Sequence, residues 1–171
     1  MGITARYKQA DVNRELQRGY LSIENGIIRI LQRAGEQFVR DARINMNIDA
    51  SAFPKGDYLN HTTNLRSSIG YFLLKDGQVI QMNIEGTSDG RNAAMEVVSK
   101  LPNKGGYQLV GVAGKDYASY VESKGYNVIT SQSDIAIVNI ERLLTKYRDR
   151  LNTKGVDVDF DMNDLTLTVM R

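Results

Sequence analysis

The sequence predicts an α+β fold: a long N-terminal helix and a second helix packed on a small, mainly antiparallel sheet, with an inserted short helix and a C-terminal hairpin. Three observations carry that expectation. Apolar residues from Val12 to Ile44 recur at steps of three and four, the period of one helix face. Two β-rich runs flank Asp76-Gly77, which marks a hairpin because glycine readily takes the positive φ of a type I′ turn. From Val156 onward, apolar and polar residues alternate with the period of a half-buried strand.

At 171 residues the chain has the size of one domain, 1–171. Such a domain buries roughly 70% of the surface its unfolded chain exposes, so it needs no disulfide or metal staple. The hydrophobic content of 42% and charged content of 25% are those of an ordinary globular protein. The absence of cysteine removes a disulfide framework, a thiolate metal site and a cysteine nucleophile together. The first residues, Met1-Gly2-Ile3-Thr4-Ala5-Arg6-Tyr7-Lys8, turn polar too soon for a secretory signal, and no run reaches the ~18 apolar residues of a membrane span. Residence in the cytoplasm of the producing cell is therefore expected. A net charge of +2 is too small to argue for nucleic acid by itself, although Arg14, Arg18, Arg29, Arg33, Arg40 and Arg43 all fall in the first helical segment.

The first element is the helix of Val12, Leu16, Tyr20, Ile23, Ile27, Leu31, Ala34, Phe38 and Ala42, with Asp11 placed to cap its start. Unbroken, it is about 45–50 Å long at ~1.5 Å per residue, longer than a compact domain is wide, so part of it is expected to meet another subunit. Gly19, Gly26 and Gly35 each weaken a helix interior by up to ~1 kcal/mol relative to Ala, and Asn25-Gly26 is the place for a kink. Pro54, Gly56, Asp49 and Asp57 mark a loop from Asn45 to His61. The hairpin follows, with strands expected over 65–74 and 79–84. Residues 86–106 read as an insertion holding a short helix, Asn92 to Leu101, and Tyr107 to Ala113 reads as a third strand. Asp116 to Glu122 reads as a helical turn and Lys124-Gly125-Tyr126 as a break. A second long helix starts near Ser133-Asp134 and ends near Leu151 to Gly155, with Ile135, Val138, Leu143, Leu144 and Tyr147 as its apolar face. The C-terminal hairpin occupies 156–170, turning at Asn163-Asp164.

Residues that invite a chemical reading have plainer ones. Asp157, Asp159 and Asp161 have calcium-loop spacing, but Met162 and Thr168 stand where such a loop needs Gly and Glu, and strand alternation accounts for them. Gly111 to Asp116 resembles a phosphate loop only in its Gly114-Lys115 pair: Leu109 replaces the first glycine and Asp116 the Ser or Thr. His61 is the only histidine; it lies in a polar loop, and no nucleophile-elbow motif surrounds Ser67 or Ser68. Along the first helix, Glu15, Glu24, Glu36 and Asp41 interleave with the arginines, as on a solvated or salt-bridged face. No catalytic residue, metal ligand or cofactor is expected, and the chain is not read as an enzyme.

Two segments carry a family resemblance. Asn64-Leu65-Arg66-Ser67-Ser68-Ile69 resembles the G-x-L-R-x-S-I lead-in to the first strand of the HK-type phage tail-component family, the tail-completion and neck proteins of long-tailed phages. Val112 to Glu122 resembles that family's V-x-x-x-x-Y-A-x-Y-V-E segment. The order of elements matches over roughly residues 12 to 150, with 86–106 and 156–170 as additions.

The resemblance implies a virion structural protein at the head–tail junction, forming an oligomeric ring and assembled in the host bacterial cytoplasm. It implies head-closure or connector proteins and tail-tube or tail-terminator proteins as partners, a passing contact with DNA in the lumen, and no membrane. Leu65, Arg66, Ser68, Tyr117, Ala118, Tyr120 and Glu122 are the motif residues, expected in packing or subunit contact. A tail terminator or other minor tail or head-closure protein is the nearest alternative, and a nucleic-acid-associated module a more distant one.

Overall fold

The computed structural model describes residues 8–45, 64–103, 105–114, 118, 129–160 and 166–170. Its first element, helix α1, spans Gln9–Asn45 and runs through Asn25-Gly26 without interruption. With 37 residues it is about 55 Å long at a rise of ~1.5 Å per residue. A short helix α2, Asn64–Ser67, leads into strand β1, Ile69–Lys75, and strand β2, Gln78–Ile84. Helix α3 (Ser88–Ser99), strand β3 (Tyr107–Ala113), helix α4 (Thr130–Asn152) and strand β4 (Thr166–Met170) complete the order. The strands form one sheet in the order β2-β1-β3-β4, antiparallel except for the parallel β3–β4 pair. The fold is α+β, as the periodicities predict.

The β1–β2 turn takes the expected form, with Asp76 at φ 50° and Gly77 at φ 78°. Asp76 also fastens this turn to the start of β3: its backbone N–H donates to the Gly106 carbonyl at 2.9 Å, and its carboxylate accepts from the Gly106 N–H at 3.0 Å. One residue is extra in β2, since Leu73 pairs with Gln81 and Leu74 with Val79, leaving Ile80 in a bulge.

Both faces of the sheet are covered, which the alternation in β1 makes possible. Ile69, Tyr71 and Leu73 point to one side and join Leu31, Phe38 and Ala42 of α1 with Ile140 and Leu144 of α4. Phe72 and Leu74 point to the other side, where Val110 and Val112 of β3 meet Ala94 and Val98 of α3. The segment read as an insertion is therefore the cover of the second face. Its helix starts earlier than expected because Thr87 caps it, the Gly90 N–H donating to the Thr87 hydroxyl at 3.4 Å.

Three expectations need correction. Leu65 to Ser68 is a helical turn, and the strand begins only at Ile69. Its hydrogen bonds close locally: the Ser68 N–H and hydroxyl both donate to the Leu65 carbonyl, at 3.1 and 2.8 Å. On α4 the buried residues are Ser133, Ala136, Ile140 and Leu144, whereas Ile135 and Val138 are exposed. Leu144 is buried and Leu143 and Tyr147 half-buried, as expected. At the start of α4, however, small residues face inward because it packs closely along α1, and there apolarity alone points to the wrong side. Finally, the described parts of 156–170 do not pair with each other as a hairpin. Residues 156–160 carry no strand pairing, and Phe160 instead stacks on Tyr147 with ring centroids 6.1 Å apart. β4 joins the free edge of β3, and α4 supplies the crossover that a parallel pair requires. The loop expected from Asn45 to His61 and the turn at 116–126 lie outside the described residues, Asn45 and Ala118 apart.

Candidate assembly surface

One apolar stripe on α1 serves two environments. Toward the C-terminal end it is core: Leu31 and Ala42 are 0% exposed, and Ala34 and Phe38 are buried beside them. Toward the N-terminal end the same face continues as Val12, Leu16 and Tyr20, all in solvent, with Leu16 at 67% exposure. Every described residue from Lys8 to Ser22 is exposed. A contiguous apolar stripe left in water is a mark of an interaction surface rather than of a finished core. The charges there largely cancel within the helix, since Arg14 reaches Asp11 at 3.9 Å and Arg18 reaches Glu15 at 2.8 Å. Exposed pairs of this kind add little stability.

The boundary between the exposed and packed halves is tied down by Glu24. Lys75, at the end of β1, donates to its carboxylate, and the Tyr107 hydroxyl of β3 donates to the same oxygen at 3.1 Å. The hydrogen bond from Lys75 holds the Glu24 carboxyl below its ordinary range against the opposing effect of burial. The same bond holds the Lys75 ammonium above its ordinary range, and burial beside Glu24 pushes the Tyr107 phenol up. At the other end of α1, Arg43 donates to the Glu85 carboxylate at 2.8 Å and to the Ile69 carbonyl at 2.9 Å. These two clamps fix α1 across the sheet, while its residues from Lys8 to Leu21 stay exposed.

Two further apolar surfaces are open. β2 lies at the sheet edge with Val79, Ile80 and Met82 exposed. It carries no charge and no proline, the usual protections of an edge strand, but it does carry the bulge at Ile80. On α4, Ile135, Ile137 and Val138 face solvent.

Of the expected motif residues, Leu65 is 0% exposed, and Ser68 and Ala118 are buried with it, so these three pack the interior of the chain. Arg66 is half-buried. Tyr117, Tyr120 and Glu122 lie outside the described residues, as do His61 and Asp161. Asp159 pairs with Arg148 at 3.7 Å, and among the described residues no three His, Cys, Asp or Glu side chains gather as a metal site. No described helix is long and apolar enough to cross a membrane.

Sequence reasoning did not find the Glu24–Lys75–Tyr107 cluster, whose members are far apart in the chain, nor the exposed Ile135 and Val138. The second had a signal: Ser133, Ala136, Ile140, Leu144 and Tyr147 keep helical steps once small residues are allowed on the inner face. No family model, curated protein or solved structure matches this chain.

Proposed function

We propose that this chain is a structural assembly subunit, a tail-completion or neck protein that forms an oligomeric ring joining the head connector of a long-tailed phage to its tail. The observation that carries the assembly part is the exposed Val12–Leu16–Tyr20 stripe, which continues the face that α1 buries from Leu31 onward. A helix held at one end by two clamps, with an apolar stripe exposed at the other, suits docking on a neighbouring copy, and the uncharged edge of β2 suits a second contact at a different place. Two dissimilar patches on one chain are what a head-to-tail ring needs. The neck assignment rests on the sequence resemblance, and the order of helix, Leu65 turn, hairpin, third strand and second helix supports it.

Native mass spectrometry tests the assembly reading, alone and with head-connector and tail-tube proteins present. The wild type is expected as a discrete oligomer, and Leu16→Glu/Tyr20→Glu as a monomer with an unchanged thermal midpoint. A wild type that stays monomeric with those partners, or a double variant with the same oligomer, overturns it. Removing the chain from a producing phage is expected to leave filled heads and separate tails; joined particles would refute the neck assignment.

A further inference from the structure

A groove of about 390 Å³ lies between α1 and the C-terminal end of α4. Its lining includes Ser22, Asn25 and Arg29 from one side and Tyr147, Arg150 and Lys154 from the other. Gly26 makes this shape possible. A Cβ at that position would collide with the Tyr147 hydroxyl, so only glycine lets the phenol lie across α1. The Tyr147 hydroxyl donates to the Ser22 and Ile23 carbonyls at 3.4 Å.

Three cations line this groove and no carboxylate does. Of the acids near the end of α4 in sequence, Asp149 and Asp159 both pair with Arg148, at 3.3 and 3.7 Å. Among the described residues, Arg29, Arg150 and Lys154 form no ion pair. The carbonyls at the end of α4, which would repel an anion, are already occupied. The Val156 N–H donates to the Leu151 carbonyl at 3.1 Å and the Gly155 N–H to the Asn152 carbonyl at 2.9 Å, around Gly155 at φ 78°. Ser22 and Asn25 add neutral donors at the rim.

The charge extends beyond the groove. Arg142, Lys146 and Arg150 recur at four-residue spacing on α4, about 6 Å apart along its axis, and Lys154 follows just beyond its end, all exposed. A single small anion needs one clamp, whereas a row of cations leading into a cleft follows a chain of negative charges. We propose that this groove and the row beside it bind the phosphodiester backbone of a nucleic acid, without sequence preference. The proposal is independent of the assembly reading, because it uses neither the exposed stripe of α1 nor the edge of β2.

Fluorescence anisotropy of labelled single-stranded and duplex oligonucleotides with the full chain, titrated between 50 and 200 mM salt, tests it. Arg29→Gln/Arg150→Gln/Lys154→Gln is compared with Arg14→Gln/Arg18→Gln/Arg40→Gln, which removes the same charge from sites already paired with acids. The groove variant is expected to lose at least about tenfold in affinity at low salt and roughly 2–3 units of salt slope, the control variant less than about threefold. The thermal midpoint of each variant checks folding, and Lys154→Gln alone, beyond the end of α4, is expected to lower the slope by about 1. Absence of binding by the wild type at low salt, or equal losses in both triple variants, overturns the proposal. Competition by inorganic phosphate or by polyglutamate as effective as by unlabelled oligonucleotide would assign the groove to a small anion or an acidic peptide and equally overturn it.

Discussion

The ring of Tyr71 fills the space where a side chain on Gly35 would stand: a Cβ there would lie 2.7 Å from Cγ and Cδ2 of the phenol. α1 therefore approaches the sheet as closely as a helix backbone and an aromatic ring allow. Burial of that ring, with the charge of Glu36 nearby, pushes the Tyr71 phenol up to about 12.

Gly35→Ala is expected to destabilise the protein. Overpacking costs roughly 1–3 kcal/mol, against at most ~1 kcal/mol gained in helix propensity. Gly19→Ala, on the same helix, has nothing within 4 Å of the new methyl and is expected to stabilise by up to ~1 kcal/mol. Urea midpoints of the two variants measure both, and shifts of the same sign would contradict the placement of α1.

Ile140→Ala is expected to cost about 2–5 kcal/mol, because Ile140 is fully buried between α1 and the sheet. Val138→Ala, at 63% exposure, is expected to stay within ~0.5 kcal/mol of wild type. Chemical denaturation distinguishes this inner face of α4 from the one its apolar residues suggest, on which Val138 would be the costly position.

Ser68→Ala is expected to cost about 1 kcal/mol, from loss of its hydroxyl bond to the Leu65 carbonyl, and Leu65→Ala about 2–5 kcal/mol. Both losses should appear in dilute protein and leave the oligomer distribution of the surviving folded fraction unchanged. A change in assembly at unchanged stability would instead make this turn a subunit contact.

Acid should weaken the tie between α1 and the sheet. Glu24 has a lowered folded pKa, so its contribution is present above the ordinary carboxyl value of 4.5 and is lost as pH falls through the folded value. Lys75 has a raised one, so its contribution is present below 10.5 and lost as pH rises through the folded value. The difference in urea midpoint between wild type and Glu24→Gln is expected to be constant near neutral pH and to close below about pH 4.5. A difference independent of pH down to pH 2 would remove the charge from this account.

Much of the fold is legible in the chain because local rules act on neighbouring residues. The stripe from Val12 to Ala42 specifies one helix, Asp76-Gly77 specifies a type I′ turn, and Tyr107 to Ala113 becomes the strand its composition predicts. The candidate surface is legible only in part. Val12, Leu16 and Tyr20 have the same spacing as Leu31, Ala34 and Phe38, and periodicity records which way a side chain points, not whether anything covers it.

By itself, then, the sequence determined the α+β class, the helical period of α1, the β1–β2 turn and the absence of cysteine chemistry, while the structure decided that α1 runs unbroken through Gly26. Only the tertiary structure decided which end of α1 is core, which side of α4 faces inward, that β4 pairs in parallel with β3, and that Gly26 and Gly35 are spaces for aromatic rings while Gly19 is not. It also brought Arg29 to Arg150 and Lys154 across more than a hundred residues. The physical reason is the same in each case. Burial, strand partnership and the meeting of distant charges depend on what packs against a residue, and neighbours in the chain do not specify that.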